Sequence, residues 1–174
     1  QFFDTCAAWF VSLQQKIVQG LEGFEPGEGF LLDAWERPPL PPESELPPLH
    51  EPLLSGDGRT CVIEDALVFE KGGVNFSDVR GYFSDEHAHS MPGDSRQFRA
   101  AGVSLVIHPR SPLVPTVHMN VRRIQRGSRS WFGGGIDLTP YYADHDDIRH
   151  FHATMKAACD AHPNVANYRT MKQE

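Results

Sequence analysis

The sequence predicts an α+β fold, and three observations lead to that prediction. Apolar residues recur every three or four positions near the start of the chain, as they do along one side of a helix. Segments 103–108 and 116–122 are rich in β-branched residues or alternate in polarity, as strands do. Helical spacing returns after residue 144. The chain is therefore expected to have a helix before and a helix after a run of strands. Residues 1–174 are expected to form a single domain.

The first helix is expected from Asp4 to about Gln19, with Gly20 as its end. One side of this segment carries charged and amide side chains, and the other carries apolar ones: Cys6, Phe10, Leu13, Ile17 and Val18. Residues 38–60 hold seven prolines with glycine at the far end, which predicts a surface loop. Short strands are expected at 60–63 and 66–70, followed by a turn at 71–73 and a further strand at 74–76.

The next two strands each gather polar side chains on one face. In 103–108, alternation places Ser104 and His108 on the same side as Val106. In 116–122, the period of two separates a polar set from an apolar set that is expected to enter a core. The polar set is Thr116, His118, Asn120 and Arg122, and the apolar set is Val117, Met119 and Val121. Such a face suits the solvated side of a hairpin, but an imidazole, an amide and a guanidinium together favour a site.

A run of three glycines, Gly133 to Gly135, follows a strand signal at Trp131–Phe132. Glycines allow a flat ligand or another strand to approach the backbone closely, although such a run is also common in flexible turns. Asp137, just beyond, can terminate a strand. Asp144 is expected to cap the last helix, whose apolar stripe is Ile148, Phe151, His152, Met155 and Cys159.

Composition narrows the classes of protein. The chain has 174 residues, 40% of them hydrophobic, and a formal net charge of −7, which argues against nucleic-acid binding and requires local arginines for any anionic ligand. Three widely spaced cysteines indicate reduced thiols and favour the cytoplasm. No apolar run approaches the ~18 residues of a spanning helix, so stable membrane insertion is not expected. Because the first residue is Gln1, mitochondrial or plastid targeting stays open.

His108, His118 and His152 are the natural candidates for a metal site, since all three are expected to face inward. Their spacing alone is a weak signal. His150 and His152 of the last helix cannot both bind one ion comfortably, because two ligands on one helix need a separation of three or four. Partly buried histidines with ordinary hydrogen-bond partners are the alternative interpretation.

Four strings resemble, in order, the signatures of oxygen-dependent coproporphyrinogen III oxidases. These strings are residues 69–77, 102–109, 115–122 and 131–142. Trp35-Glu36-Arg37-Pro38 and the first helix also resemble that family, so the resemblance covers nearly the whole chain. It implies a broad antiparallel sheet flanked by helices on both faces, assembled as a homodimer. The family is about twice as long, so the chain is expected to be an amino-terminal part, truncated at its carboxyl end.

The resemblance also implies an activity and roles for residues. Oxygen-dependent oxidative decarboxylation of two propionates of coproporphyrinogen III would give protoporphyrinogen IX, carbon dioxide and hydrogen peroxide, within haem biosynthesis. His118 corresponds to a proton donor and Asp137 to the residue at the pyrrole nitrogens. Substrate-binding positions correspond to Ser104, Asn120, Val121 and Arg122.

Dioxygen would be the co-substrate, and the resemblance implies no required cofactor. Bacterial relatives imply a manganese-type divalent metal at His108, His118 and His152. Two other functions stay open on the residues alone: a metal-dependent hydrolase that uses these histidines, and a non-catalytic tetrapyrrole-binding module. Hydrolytic activity with stoichiometric metal would distinguish the first, and porphyrin binding without oxygen consumption the second.

Overall fold

The computed structural model describes residues 1–90 and 92–172. It contains one six-stranded sheet and four α-helices within those ranges. A short 3-10 helix spans Glu43–Glu45. The helices are α1 (Phe2–Glu22), α2 (Asp85–Ser90), α3 (His145–Asp160) and α4 (Tyr168–Met171). The strands are β1 (Leu31–Arg37), β2 (Leu53–Glu64), β3 (Phe69–Tyr82), β4 (Gln97–Pro109), β5 (Thr116–Arg126) and β6 (Arg129–Thr139).

Every strand pairs antiparallel with its neighbour in the chain, so the strand order is β1 to β6 without a crossover. Short connections favour this meander, such as the two-residue turn between β5 and β6, where Gly127 has φ +57°. The α+β class and the antiparallel sheet are confirmed.

One face of the sheet forms the hydrophobic core beneath α1. Phe3, Ala7 and Phe10 of the helix are buried on this face, which we call the apolar face. It is formed by alternate residues of β2 to β5, because successive strand side chains point to opposite sides. Its buried members are Cys61, Ile63, Phe69, Val74, Phe76, Ala101, Val103, Leu105 and Ile107.

Gln14 is a polar residue buried within this core, and all of its hydrogen-bonding capacity near the sheet is used. Its Nε2 donates to the carbonyl oxygens of Arg59 and Val74, both at 2.8 Å. Its Oε1 accepts from Arg59 Nη2 at 2.9 Å. A buried amide without partners would cost free energy, so these bonds set the position of α1 on β2 and β3.

Arg99 joins the start of α1 to the sheet. Its guanidinium donates to both carboxylate oxygens of Asp78, at 2.9 and 2.6 Å, and to Asp4 Oδ1 at 2.7 Å. The bond from Arg99 lowers the pKa of Asp4, with a further contribution from the amino terminus. A bidentate pair of this kind specifies orientation as well as energy.

Glu25 holds the turn between β2 and β3. Its carboxylate accepts from the backbone N–H groups of Leu67, Val68, Phe69 and Gly27, at 2.8 to 3.3 Å. Burial by itself would raise the pKa of Glu25, but the four N–H donors outweigh it and the pKa is lowered.

The two long helices both border the apolar face. α3 lies beside the free edge of β6, and its side chains Phe151 and Met155 line one cavity together with Leu21 of α1 and Ile136 of β6. The opposite, polar face is approached by α2, where Arg126 Nη2 donates to the Ala88 carbonyl at 2.6 Å. Helices therefore reach both faces in the described part of the chain: α2 approaches the polar face, and α3 and α4 line a cavity with its residues Gly135 and Asp137 at the β6 edge.

Several predicted boundaries were wrong. The loop expected at 38–60 ends earlier, because β2 begins at Leu53 and includes 53–60. Residues 71–73 do not turn the chain but lie inside β3, paired with β2 and β4 on either side. The turn is instead at 65–68, where Asp65 has φ +52°. α1 continues beyond Gly20 to Glu22, because a solvent-facing glycine costs a helix only about 1 kcal/mol.

No helix in the described ranges has the length and apolar character needed to cross a membrane.

Candidate active site

Except for Val121, the predicted site residues of β4, β5 and β6 lie on the polar face of the sheet. Strand register places Ser104 opposite Asn120, and His118 opposite Asp137. Since directly paired residues point to the same side, these four side chains share one surface with Arg122. The predicted polar side of 116–122 is thus confirmed, and the pairing of β4 with β5 places Ser104 on the same surface.

His118 and Asp137 form a hydrogen-bonded pair across β5 and β6. His118 Nδ1 lies 3.1 Å from Asp137 Oδ2, and Thr139 Oγ1 donates to Asp137 Oδ1 at 3.3 Å. The pair is accessible, with 41% of the His118 side chain and 58% of the Asp137 side chain exposed. A carboxylate on Nδ1 favours the proton on that nitrogen, which leaves Nε2 free to exchange a proton with a ligand.

Arg122 and Asn120 form a second polar pair on β5. Arg122 Nη2 donates to Asn120 Oδ1 at 2.8 Å. The amide nitrogen of Asn120 and the remaining N–H groups of Arg122 are still available to a ligand. Because none of the described carboxylates pairs with Arg122, its charge suits an incoming carboxylate.

A row of polar side chains crosses the sheet at the level of Ser104. Each member is paired with the next, and the row ends at a glycine on β6: Thr60, Asn75, Ser104, Asn120 and Gly135. Among residues 1–90 and 92–172, the side chains of Thr60, Asn75 and Ser104 have no hydrogen-bond partner. Unused donors and acceptors on an accessible surface are what a polar ligand needs.

Glycines form an open floor beside this row. A Cβ built on Gly133 or Gly135 would meet no atom within 4 Å, and one on Gly73 would meet only the Asn75 amide nitrogen, at 3.9 Å. Protein packing therefore does not require glycine at these positions. Gly134 differs, since its Cβ would lie 2.3 Å from the Asn120 carbonyl oxygen on the other face. The open positions admit a flat ligand close to the backbone.

Val121 does not share the polar face. Its side chain packs against the hydrophobic core, because alternation along β5 sends it to the opposite side from Asn120 and Arg122. This packing confirms the expected core side of β5, and substrate binding at Val121 stays a prediction.

The three histidines proposed for a metal are not assembled into a site. Within the described ranges, no three His, Cys, Asp or Glu side chains are grouped to hold a metal ion. His118 Nδ1 is bonded to Asp137, and His152 Nδ1 on α3 lies 2.7 Å from the Tyr168 hydroxyl. The residues do not fit a metal in this arrangement, and a three-histidine site stays a prediction.

His152 instead lines a cavity of about 700 Å³ between α3, α4 and the edge of β6. The Asp144 cap of α3 is confirmed: its carboxylate accepts from the N–H groups of Asp146 and Asp147, at 2.7 and 3.2 Å. These donors lower the pKa of Asp144.

Sequence reasoning missed three contributors to the polar face: Asn75, Thr60 and Thr139. Asn75 was hidden because 71–73 was interpreted as a turn, which broke the alternation of β3. Period-two counting through 71–77 would have placed Asn75 on the same side as Gly73. Thr139 stands two residues after Asp137, so alternation along β6 could have indicated it.

Comparison with known proteins identifies relatives of this chain. Residues 5–174 match the model of the family described as Coproporphyrinogen III oxidase. A protein of Parasynechococcus marenigrum (strain WH8102) is 42% identical over 162 residues, covering 91% of this chain and 40% of the relative. One of Synechococcus sp. (strain CC9605) is 43% identical over 166 residues, covering 93% and 41%. Both are named oxygen-dependent coproporphyrinogen-III oxidase, and this chain spans about two fifths of their length.

Proposed function

This chain belongs to the coproporphyrinogen III oxidase family, and we propose that its polar face binds coproporphyrinogen III for oxygen-dependent oxidative decarboxylation. Two propionates would become vinyl groups, giving protoporphyrinogen IX. The observation that carries the proposal is the hydrogen-bonded pair of His118 and Asp137 on the same face as Arg122 and as glycines whose missing side chains leave open space.

The shape and charge of the face suit a large tetrapyrrole with carboxylates on its rim. The macrocycle would lie over Gly133 and Gly135, where a Cβ would meet no atom within 4 Å, and over Gly73, where it would meet only the Asn75 amide nitrogen, at 3.9 Å. Arg122 would hold a propionate through a charge-assisted bond, and Asn120 would orient the guanidinium while offering its own amide N–H groups. Ser104, between two amides in the row, would donate to the same rim.

Stoichiometry defines what the protein must supply. For each propionate, one carboxylate, one dioxygen and one proton give one vinyl group, one carbon dioxide and one hydrogen peroxide. Two electrons leave the side chain and reduce dioxygen, and one proton is consumed from the surroundings. Asp137 would stabilise the ring at its pyrrole N–H groups, and His118 would deliver the proton, since an imidazole ring nitrogen can both carry and release one.

We propose dioxygen as the co-substrate, with no organic cofactor, because the electron-rich porphyrinogen can supply the electrons itself. The homologues' name, oxygen-dependent, supports this assignment. Dialysis of the full-length protein against a chelator is expected to leave turnover within about twofold. Loss of turnover that added manganese restores would contradict this expectation and support the three-histidine site.

Further assignments follow from the same family. We propose a homodimer in the cytoplasm that does not bind nucleic acid. The net charge of −7 supports the last point, and the unpaired cysteines support a reducing compartment.

Oxygen uptake with coproporphyrinogen III tests the function directly. The full-length protein is expected to consume one dioxygen and release one carbon dioxide for each vinyl group formed. Porphyrin binding without oxygen consumption would contradict the proposal and favour a non-catalytic tetrapyrrole-binding protein.

A further inference from the structure

A second arginine lies on the polar face, at the opposite edge of the sheet from β6. β1 places Asp33, Trp35 and Arg37 on the polar face, because these residues pair with Thr60, Gly58 and Gly56 of β2. Arg37 is exposed, and its guanidinium forms neither a hydrogen bond nor an ion pair with any residue in 1–90 and 92–172. Its charge is therefore not neutralised by the protein.

Trp35 directs that charge toward the middle of the sheet. The Arg37 guanidinium carbon lies 5.2 Å from the centroid of the Trp35 ring. The ring itself extends over β2, since a Cβ on Gly58 would lie only 2.4 Å from Trp35 Cζ2. Stacking on an indole holds a guanidinium in place while leaving its N–H edge free.

Trp35 and Arg122 stand in the same cross-strand row. Pairing runs from Trp35 through Gly58, Ser77 and Gly102 to Arg122. Every residue between the two ends is small, so the row forms a shallow trough. The ends are four strand spacings apart, or roughly 19 Å between backbones at ~4.8 Å for each spacing. Arg37, stacked on Trp35, and Arg122 therefore lie near opposite ends of this trough.

We propose that Arg37, positioned by Trp35, is a second carboxylate anchor of the site, on the opposite side from Arg122. This inference rests on the proposed function, because a porphyrinogen with four propionates presents carboxylates on opposite sides of one ring. A single anchor would leave the macrocycle free to rotate about one contact. Two anchors across the trough set its orientation over Asp137, and so select which propionates meet the reactive pair.

Binding of coproporphyrin III, the stable oxidised tetracarboxylate, tests the anchor in the full-length protein. Titration followed by porphyrin absorbance is expected to show a Kd about tenfold higher for Arg37→Gln, the scale of one charge-assisted hydrogen bond. Arg80→Gln is the matched control, because Arg80 is an exposed arginine on the apolar-face side of β3. It is expected to bind as the unmodified protein does.

The double variant and the neighbouring tryptophan sharpen the test. If Arg37 and Arg122 hold different carboxylates, the fold-losses of Arg37→Gln and Arg122→Gln should multiply in the double variant. Trp35→Leu should weaken binding, whereas Trp35→Phe should retain most of it, because phenylalanine still offers a ring face. In turnover, Arg37→Gln should raise KM with little change in kcat.

The outcomes separate the two proposals. Unchanged binding by Arg37→Gln, with clear loss in Arg122→Gln, would overturn the second anchor and leave the proposed function standing. Failure of the unmodified protein to bind coproporphyrin or turn over the porphyrinogen would overturn the proposed function itself.

Discussion

The same strands form both faces of the sheet, but one face is packed against a helix and the other is open to a ligand. Under α1, side chains fill the space, and Gln14 and Arg99 form hydrogen bonds that fix the helix on the sheet. On the polar face, glycines leave open space, and Asn75 and Ser104 have unused hydrogen-bonding groups within the described ranges. Alternation along a strand therefore assigns neighbouring residues to stability or to ligand binding. Substitutions one position apart should have opposite consequences.

The largest expected effect is on the apolar face, at Phe10. This side chain is 2% exposed, and Phe10→Ala should lower the free energy of unfolding by about 3–5 kcal/mol through lost burial and a cavity. Chemical denaturation of the full-length protein measures the change. Activity per folded molecule should remain near normal, and Ser12→Ala, on the exposed side of α1, is the control.

Asp137 should show the reverse pattern on the polar face. Asp137→Ala should reduce kcat by about two orders of magnitude or more, since it removes both the ring contact and the partner of His118. Its unfolding free energy should change little because the side chain is exposed. His118→Ala should lose less, as water can replace part of its proton transfer. Steady-state oxygen uptake by the two variants measures these losses. An unchanged kcat in Asp137→Ala would show that Asp137 has only a structural role in its strand.

Adjacent glycines of β6 provide the closest comparison of the two faces. Gly135→Val should fold normally, because its new side chain enters open space and valine suits a strand. It should weaken porphyrin binding at least tenfold, because the valine side chain would occupy the space proposed for the macrocycle. Gly134→Val should instead destabilise the fold, as its Cβ would meet the Asn120 carbonyl oxygen at 2.3 Å. Melting temperature and porphyrin titration on both variants decide the matter. Equal porphyrin affinity in Gly135→Val and the unmodified protein would show that the porphyrin does not lie over Gly135.

The smallest expected effect concerns pH and Glu25, far from the polar face. Its pKa is lower in the folded protein than in the unfolded chain, so its contribution to stability is present above the unfolded pKa and is lost as pH falls through the folded pKa. Glu25→Gln should therefore be less stable than the unmodified protein at neutral pH. The difference should shrink in acid as the carboxylate of Glu25 becomes protonated. Thermal melts from neutral pH into the acid range measure this, and a difference that does not depend on pH would contradict it.

Local patterns predicted the elements with strong periodicity and missed those that depend on pairing. The polar alternation of 116–122 and the cap at Asp144 were both correctly predicted, because each depends on residues close in sequence. Residues 71–73 were assigned to a turn because Lys-Gly-Gly is typical of turns, whereas their neighbours in β2 and β4 hold them extended. Pairing partners that are distant in sequence leave no signal in the segment itself.

The amino-acid order alone specified the two sides of 103–108 and 116–122, the first and last long helices and the family, since alternation, capping and motifs are local properties of the chain. Register required the folded sheet, because a shift of one residue between β5 and β6 would move Asp137 to the other face and away from His118. The same register brings Trp35 of β1 into the row of Arg122, 87 residues later in the chain. Backbone hydrogen bonds across four strand pairs decide the distance between Trp35 and Arg122, and no spacing in the sequence encodes it.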